Sequence, residues 1–125
     1  MSSNCVGAWR VAISLPSLGM QSKVLMTFFS DGNLNTDEIP IPFETSGHGS
    51  WIESGAQQAA YTFYFLVGDS QQGKWQEGNV SGRLELGPSG DSWEGPFEIT
   101  MVDQDGKQTF ANTGIMAGTR IRAAV

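Results

Sequence analysis

The chain has 125 residues, a formal net charge of −6 and 16% charged residues. Its seven basic residues are scattered, which excludes the clustered Lys and Arg of a nucleic-acid surface and the polybasic patch of a membrane-surface protein. One domain over residues 1–125 is expected, long enough for a core, and sixteen glycines with little helical periodicity favour strands and turns.

Eight strands are predicted in chain order. The first covers about residues 7–14, with Trp9, Val11 and Ile13 on one face. The second, about 22–30, is apolar on both faces through Val24, Leu25, Met26, Phe28 and Phe29. The third, about 33–41, is weak because Pro40 and Pro42 interrupt it. Ser46-Gly47-His48-Gly49 reads as a loop leading into a fourth strand at about 50–54.

The fifth strand, about 58–67, has the strongest pattern: Ala59, Tyr61, Phe63, Phe65 and Val67 alternate with Ala60, Thr62, Tyr64 and Leu66. In the sixth, about 75–86, Val80, Gly82, Leu84 and Leu86 share a face opposite Glu77, Asn79, Ser81, Arg83 and Glu85. The seventh, about 92–102, has Trp93, Phe97, Ile99 and Met101 in phase, and the eighth, about 109–122, is bent at Gly114 or Gly118. Asp31-Gly32, Gly90-Asp91 and Asp105-Gly106 are hairpin turns, and residues 68–73 form a longer one. Short strands joined by hairpins predict an all-β fold: a single antiparallel up-and-down β-barrel of about eight strands.

Cys5 is the only cysteine, so no internal disulfide is expected. No signal peptide and no apolar run of about 20 residues is visible, so a cytoplasmic protein is expected. One His and one Cys, far apart, do not make a metal cluster, and Asp103 and Asp105 beside Gly106 read as turn chemistry rather than a calcium loop. Phosphate-loop, dinucleotide-binding and Gly-x-Ser-x-Gly patterns are missing. No metal and no cofactor are therefore expected.

Gly7 and Trp9 open the first strand, and Arg120 and Arg122 close the last. In a closed meander these strands are neighbours, and a guanidinium can stack on the Trp ring. This pairing resembles the signature of the calycin superfamily, which includes lipocalins and fatty-acid-binding proteins. The likeness extends over the whole chain as a strand pattern but rests on these few residues. It implies a compact lipocalin-like barrel, and some barrels of this general kind cyclise or isomerise hydrophobic metabolites.

An eight-stranded barrel either fills its interior with side chains or leaves room for one small ligand. Aromatic and Met positions with inward parity form the candidate ligand site: Met26, Phe28, Tyr61, Phe63, Phe97 and Met101, with Trp51 beside them and Arg10 as a charge stabiliser. For proton transfer the candidates are His48, Glu53 and Tyr64. His48 is the only histidine, with a reference pKa of about 6.5, and burial beside Trp51 would raise the Glu53 carboxyl. On a regular strand His48 and Glu53 would face opposite sides. The expected function is a cofactor-independent cyclase or isomerase acting on a hydrophobic metabolite inside the barrel. The alternative is a non-catalytic carrier of such a ligand. The expected partner is that small molecule, with no nucleic acid or membrane, and a homodimer is left open.

Overall fold

In the computed structural model, which describes residues 5–38, 44–69 and 71–124, eight antiparallel strands close into one up-and-down barrel in sequence order. They are β1 (Gly7–Leu15), β2 (Met20–Phe28), β3 (Asn33–Glu38), β4 (Gly47–Gly55), β5 (Gln58–Asp69), β6 (Lys74–Leu86), β7 (Ser92–Asp103) and β8 (Gln108–Arg120). The architecture is compatible with a calycin-like fold. A 3-10 turn, Pro16–Leu18, joins β1 to β2 and ends on left-handed Gly19. No helix among the described residues is long and apolar enough to cross a membrane.

The hairpin signals act where the sequence places them. Gly32, Gly90 and Gly106 all adopt positive φ, which glycine reaches without a Cβ clash. Asp31 fixes its turn by accepting the Asn33 amide at 3.0 Å. Asp103 accepts the amides of Asp105 and Lys107, each at 3.0 Å. These acids serve their own turns. Pro40 and Pro42 lie outside the described residues.

β4 departs from the expected pattern. It begins at Gly47, so His48 lies within a strand rather than a loop. The reason is steric. Gly47 and Gly49 face inward at strand spacing, and any Cβ on Gly47 would strike the Thr36 hydroxyl and the Phe63 ring. These glycines are spaces for inner side chains, which the sequence alone makes easy to mistake for loop punctuation.

The same device organises the rest of the wall. Gly78 lies under the ring of Phe65, Gly82 under Tyr61, Gly114 under Phe97 and Gly118 under Trp93. Each ring lies across a position where the neighbouring strand has no side chain, so large aromatics fit inside a narrow barrel. The rings also meet one another: Trp9 and Trp93 edge to face at 6.2 Å, Phe28 against Trp51 at 5.9 Å, and Tyr61 stacked on Phe63 at 6.3 Å. Such pairs contribute about 0.5–1.5 kcal/mol each beyond area burial.

The two ends of the barrel differ. At the end where β1 begins and β8 finishes, Cys5, Trp9, Phe28, Trp51, Leu86 and Trp93 are all buried. At the other end the inward apolar residues Ile13, Leu15, Val67, Ile99 and Met101 are only partly buried against the core.

Candidate functional site

The partly covered end contains the most perturbed carboxyl among the described residues. Inner positions of β3 follow strand alternation as Leu34, Thr36 and Glu38. Register fixes their direction. Thr36 is opposite Met26 and Glu38 is opposite Val24, and both partners are buried in the core. Glu44 reaches the same end by another route. It bridges Val67 of β5, and the next residue, Thr45, donates its amide to the Leu66 carbonyl at 2.9 Å while its hydroxyl accepts the Leu66 amide at 2.9 Å. The Ser46 hydroxyl donates to the Asp37 carboxylate, tying this segment to β3 as well.

The two carboxyls meet. Burial, then the hydrogen bond to Glu38 and its negative charge, push the Glu44 carboxyl from its ordinary range up to about 8. Glu44 therefore holds a proton at neutral pH and donates it toward Glu38. Its Oε1 is buried without a hydrogen-bond partner among the described residues. Thr36 is buried, with 3% of its surface exposed. A protonated acid and a second carboxyl thus stand at the end of the barrel where Glu44 bridges Val67. This set can donate a proton, accept one and hydrogen-bond an oxygen.

The residues singled out from sequence separate into three places. Met26, Phe28, Trp51, Tyr61, Phe63 and Phe97 are on the inner face and buried, and Met101 is partly buried against the core. The Trp51 indole donates to the Phe29 carbonyl at 2.9 Å. Tyr61 donates its hydroxyl to the Met116 sulfur at 3.2 Å, and burial pushes its phenol up, so it stays neutral. His48 and Tyr64 are brought together as cross-strand partners, but both are exposed on the outer wall. Arg10 is exposed on the outside of β1. Glu53 is opposite Ala59 near the far end of β4, also exposed.

Glu38 and Glu44 escaped the sequence reading. Acidic residues outnumber basic ones here, and most belong to solvated faces. The readable signal was the phase of Leu34, Thr36 and Glu38, and the two nearby prolines obscured it. Glu44 had no local signal, because its neighbour is set by pairing with β5.

The described residues also form a groove of about 630 Å³, lined on the outer wall by Ser50, Ile52, Thr62, Arg83, Glu98 and Thr113. No group of His, Cys, Asp and Glu that could hold a metal ion occurs among the described residues. Comparison with protein-family models, with curated proteins and with solved structures finds no match to this chain.

Proposed function

We propose that the chain is a calycin-like barrel acting as a cofactor-independent cyclase or isomerase on a hydrophobic small molecule. The observation that carries this reading is the inward-facing Glu44–Glu38 pair, with Glu44 holding its proton at neutral pH. Glu44 is the general acid. It gives its proton to a substrate oxygen, while Glu38 takes a proton from carbon. Proton exchange within the pair then restores the starting state. Such a couple needs no redox partner, because cyclisation and isomerisation move protons and bonds without changing oxidation state. The apolar rim orients the substrate, and positioning contributes much of the rate.

The test is mass spectrometry of pooled uncharged, apolar metabolites incubated with the protein. This reading expects a compound whose retention time changes at constant mass, and loss of that conversion in Glu44→Gln. Conversion that survives Glu44→Gln and Glu38→Gln together contradicts it. A second reading, a carrier, is favoured by the partly buried Ile13, Leu15, Val67, Ile99 and Met101, which can hold an apolar ligand without the carboxyls. It expects binding with no conversion.

A further inference from the structure

The outer wall of the barrel has an order of its own. Asn33, Ser50, Thr62, Ser81, Glu98 and Thr113 lie directly opposite one another from β3 through β8. Two residues along each strand, Asn35, His48, Tyr64, Asn79 and Thr100 make a second row from β3 through β7. Strand alternation turns both rows away from the core, and none of these residues is buried. In a chain with thirteen acidic and seven basic residues, the two rows hold one acid, Glu98, and no Lys or Arg.

Two grooves follow these rows. One, of about 420 Å³, is lined by Phe29, Asp31, Asn33, Asn35 and His48. The other, of about 630 Å³, begins at Ser50 and includes Thr62, Ser81, Glu98 and Thr113. They adjoin where Asn33 faces Ser50. The larger groove has a cause in the ladder. Pairing of β6 with β7 is interrupted between Gly82–Phe97 and Glu85–Glu94, where Pro96 has no N–H to give, and Arg83 and Pro96 both line the groove. The Arg83 guanidinium and the Glu98 carboxylate share this groove, yet neither makes an ion pair or a side-chain hydrogen bond among the described residues. Ile52, 67% exposed, adds apolar surface to it.

The chemistry of these side chains selects the occupant. Amides and hydroxyls both donate and accept hydrogen bonds, whereas Lys and Arg only donate and carboxylates only accept. Sugar hydroxyls are of the same two-way kind, and adjacent pairs of them suit the planar forks of Asn, Arg and Glu. Their C–H faces suit Ile52, Phe29 and Tyr64. An anionic chain would meet a single guanidinium and a net charge of −6. An extended peptide would find no strand edge to pair with, because the barrel is closed. From Asn33 to Ser81 the first row crosses three strand spacings, about 14 Å, the length of a short oligosaccharide rather than of one ring. We propose that this wall binds an uncharged oligosaccharide, laid across β3–β6 with Arg83 and Glu98 beside it. The wall is separate from the barrel end that holds Glu38 and Glu44, so this binding stands apart from any turnover there.

The test is amide-resolved NMR of the unsubstituted protein titrated with uncharged trisaccharides of glucose, mannose, galactose and xylose, beside a trigalacturonate. At least one uncharged trisaccharide should shift the amides of Ser50, Thr62, Tyr64 and Ser81, and the trigalacturonate should bind more weakly. Arg83→Ala should weaken that binding about tenfold, whereas Lys23→Ala, on the outer face of β2, should leave it unchanged. No shift from any of the uncharged trisaccharides overturns the proposal. So do shifts confined to Val67, Ile99 and Met101, or tighter binding of the trigalacturonate. Wall amides that shift with protein concentration alone, and not with sugar, would assign the wall to a second copy of this chain and overturn it as well. The titration of the unsubstituted protein decides these outcomes without any variant having to fold.

Discussion

The guanidinium of Arg120 lies 4.2 Å over the ring centroid of Trp9, directly opposite it in the β1–β8 register that closes the barrel. The same arginine donates to the Gly90 carbonyl through Nε at 3.0 Å and Nη2 at 2.9 Å, and to the Val6 carbonyl through Nη1 at 2.8 Å. Trp9 in turn donates its indole N–H to the Cys5 carbonyl at 2.9 Å. One stacked pair thus joins the N-terminal segment, the β6–β7 turn and the last strand. Arg120→Ala should lower stability by about 2–4 kcal/mol, combining the stacking with charge-assisted hydrogen bonds. Arg120→Lys should recover only part, because an ammonium cannot bridge both carbonyls in one plane. Urea unfolding measures both. Equal stability of Arg120→Ala and the unsubstituted protein would remove the closing role.

Gly118 gives the matching test of the interior. A Cβ there would lie 2.5 Å from Trp93 Nε1, inside a wall where Trp93 also meets Trp9 and Phe28. Gly118→Ala should therefore destabilise by about 1–3 kcal/mol through overpacking, even though alanine is the better strand residue in open space. A thermal midpoint unchanged by the substitution would mean that the ring does not depend on that space.

How much of this was legible in the sequence follows from the range of each interaction. The Asp-Gly and Gly-Asp turns and the alternation in β5 and β6 are local patterns, so the barrel could be read from them. The Trp9–Arg120 pairing was accessible because closure of a meander brings its first and last strands together. β4 was misplaced at its start because Gly47 and Gly49 are glycines for an inward reason, the space needed by Thr36 and Phe63. The carboxyl pair was hidden because Glu44 faces inward only through its bridge to Val67, a contact with no trace in nearby residues. His48 drew attention as the one histidine, yet strand parity puts it beside Tyr64 on the outer wall.

The raised Glu44 carboxyl links stability to pH. Folding favours its protonated form, since its value rises from 4.5 to about 8. Its contribution is therefore fully present below about pH 4.5 and is lost progressively as pH rises toward 8. Urea midpoints should fall across that window in the unsubstituted protein. In Glu44→Gln, where no proton is lost, this part of the slope should vanish. A slope of the same size in Glu44→Gln would assign the pH dependence to another group.

The most direct measurement of the central claim is hydrogen–deuterium exchange at carbon. A thirteen-carbon methyl ketone, an uncharged apolar probe, is incubated with the protein in heavy water, and deuterium uptake beside the carbonyl is followed by proton NMR. If Glu38 removes that proton while Glu44 protonates the oxygen, uptake should exceed the buffer rate, and Glu44→Gln should slow it by roughly 100- to 10,000-fold. Displacement of Nile red, an uncharged apolar dye, by the ketone checks that the ketone still binds the variant. Uptake no faster than in buffer, with the ketone demonstrably bound, would contradict acid–base catalysis by the carboxyl pair and leave the barrel a carrier.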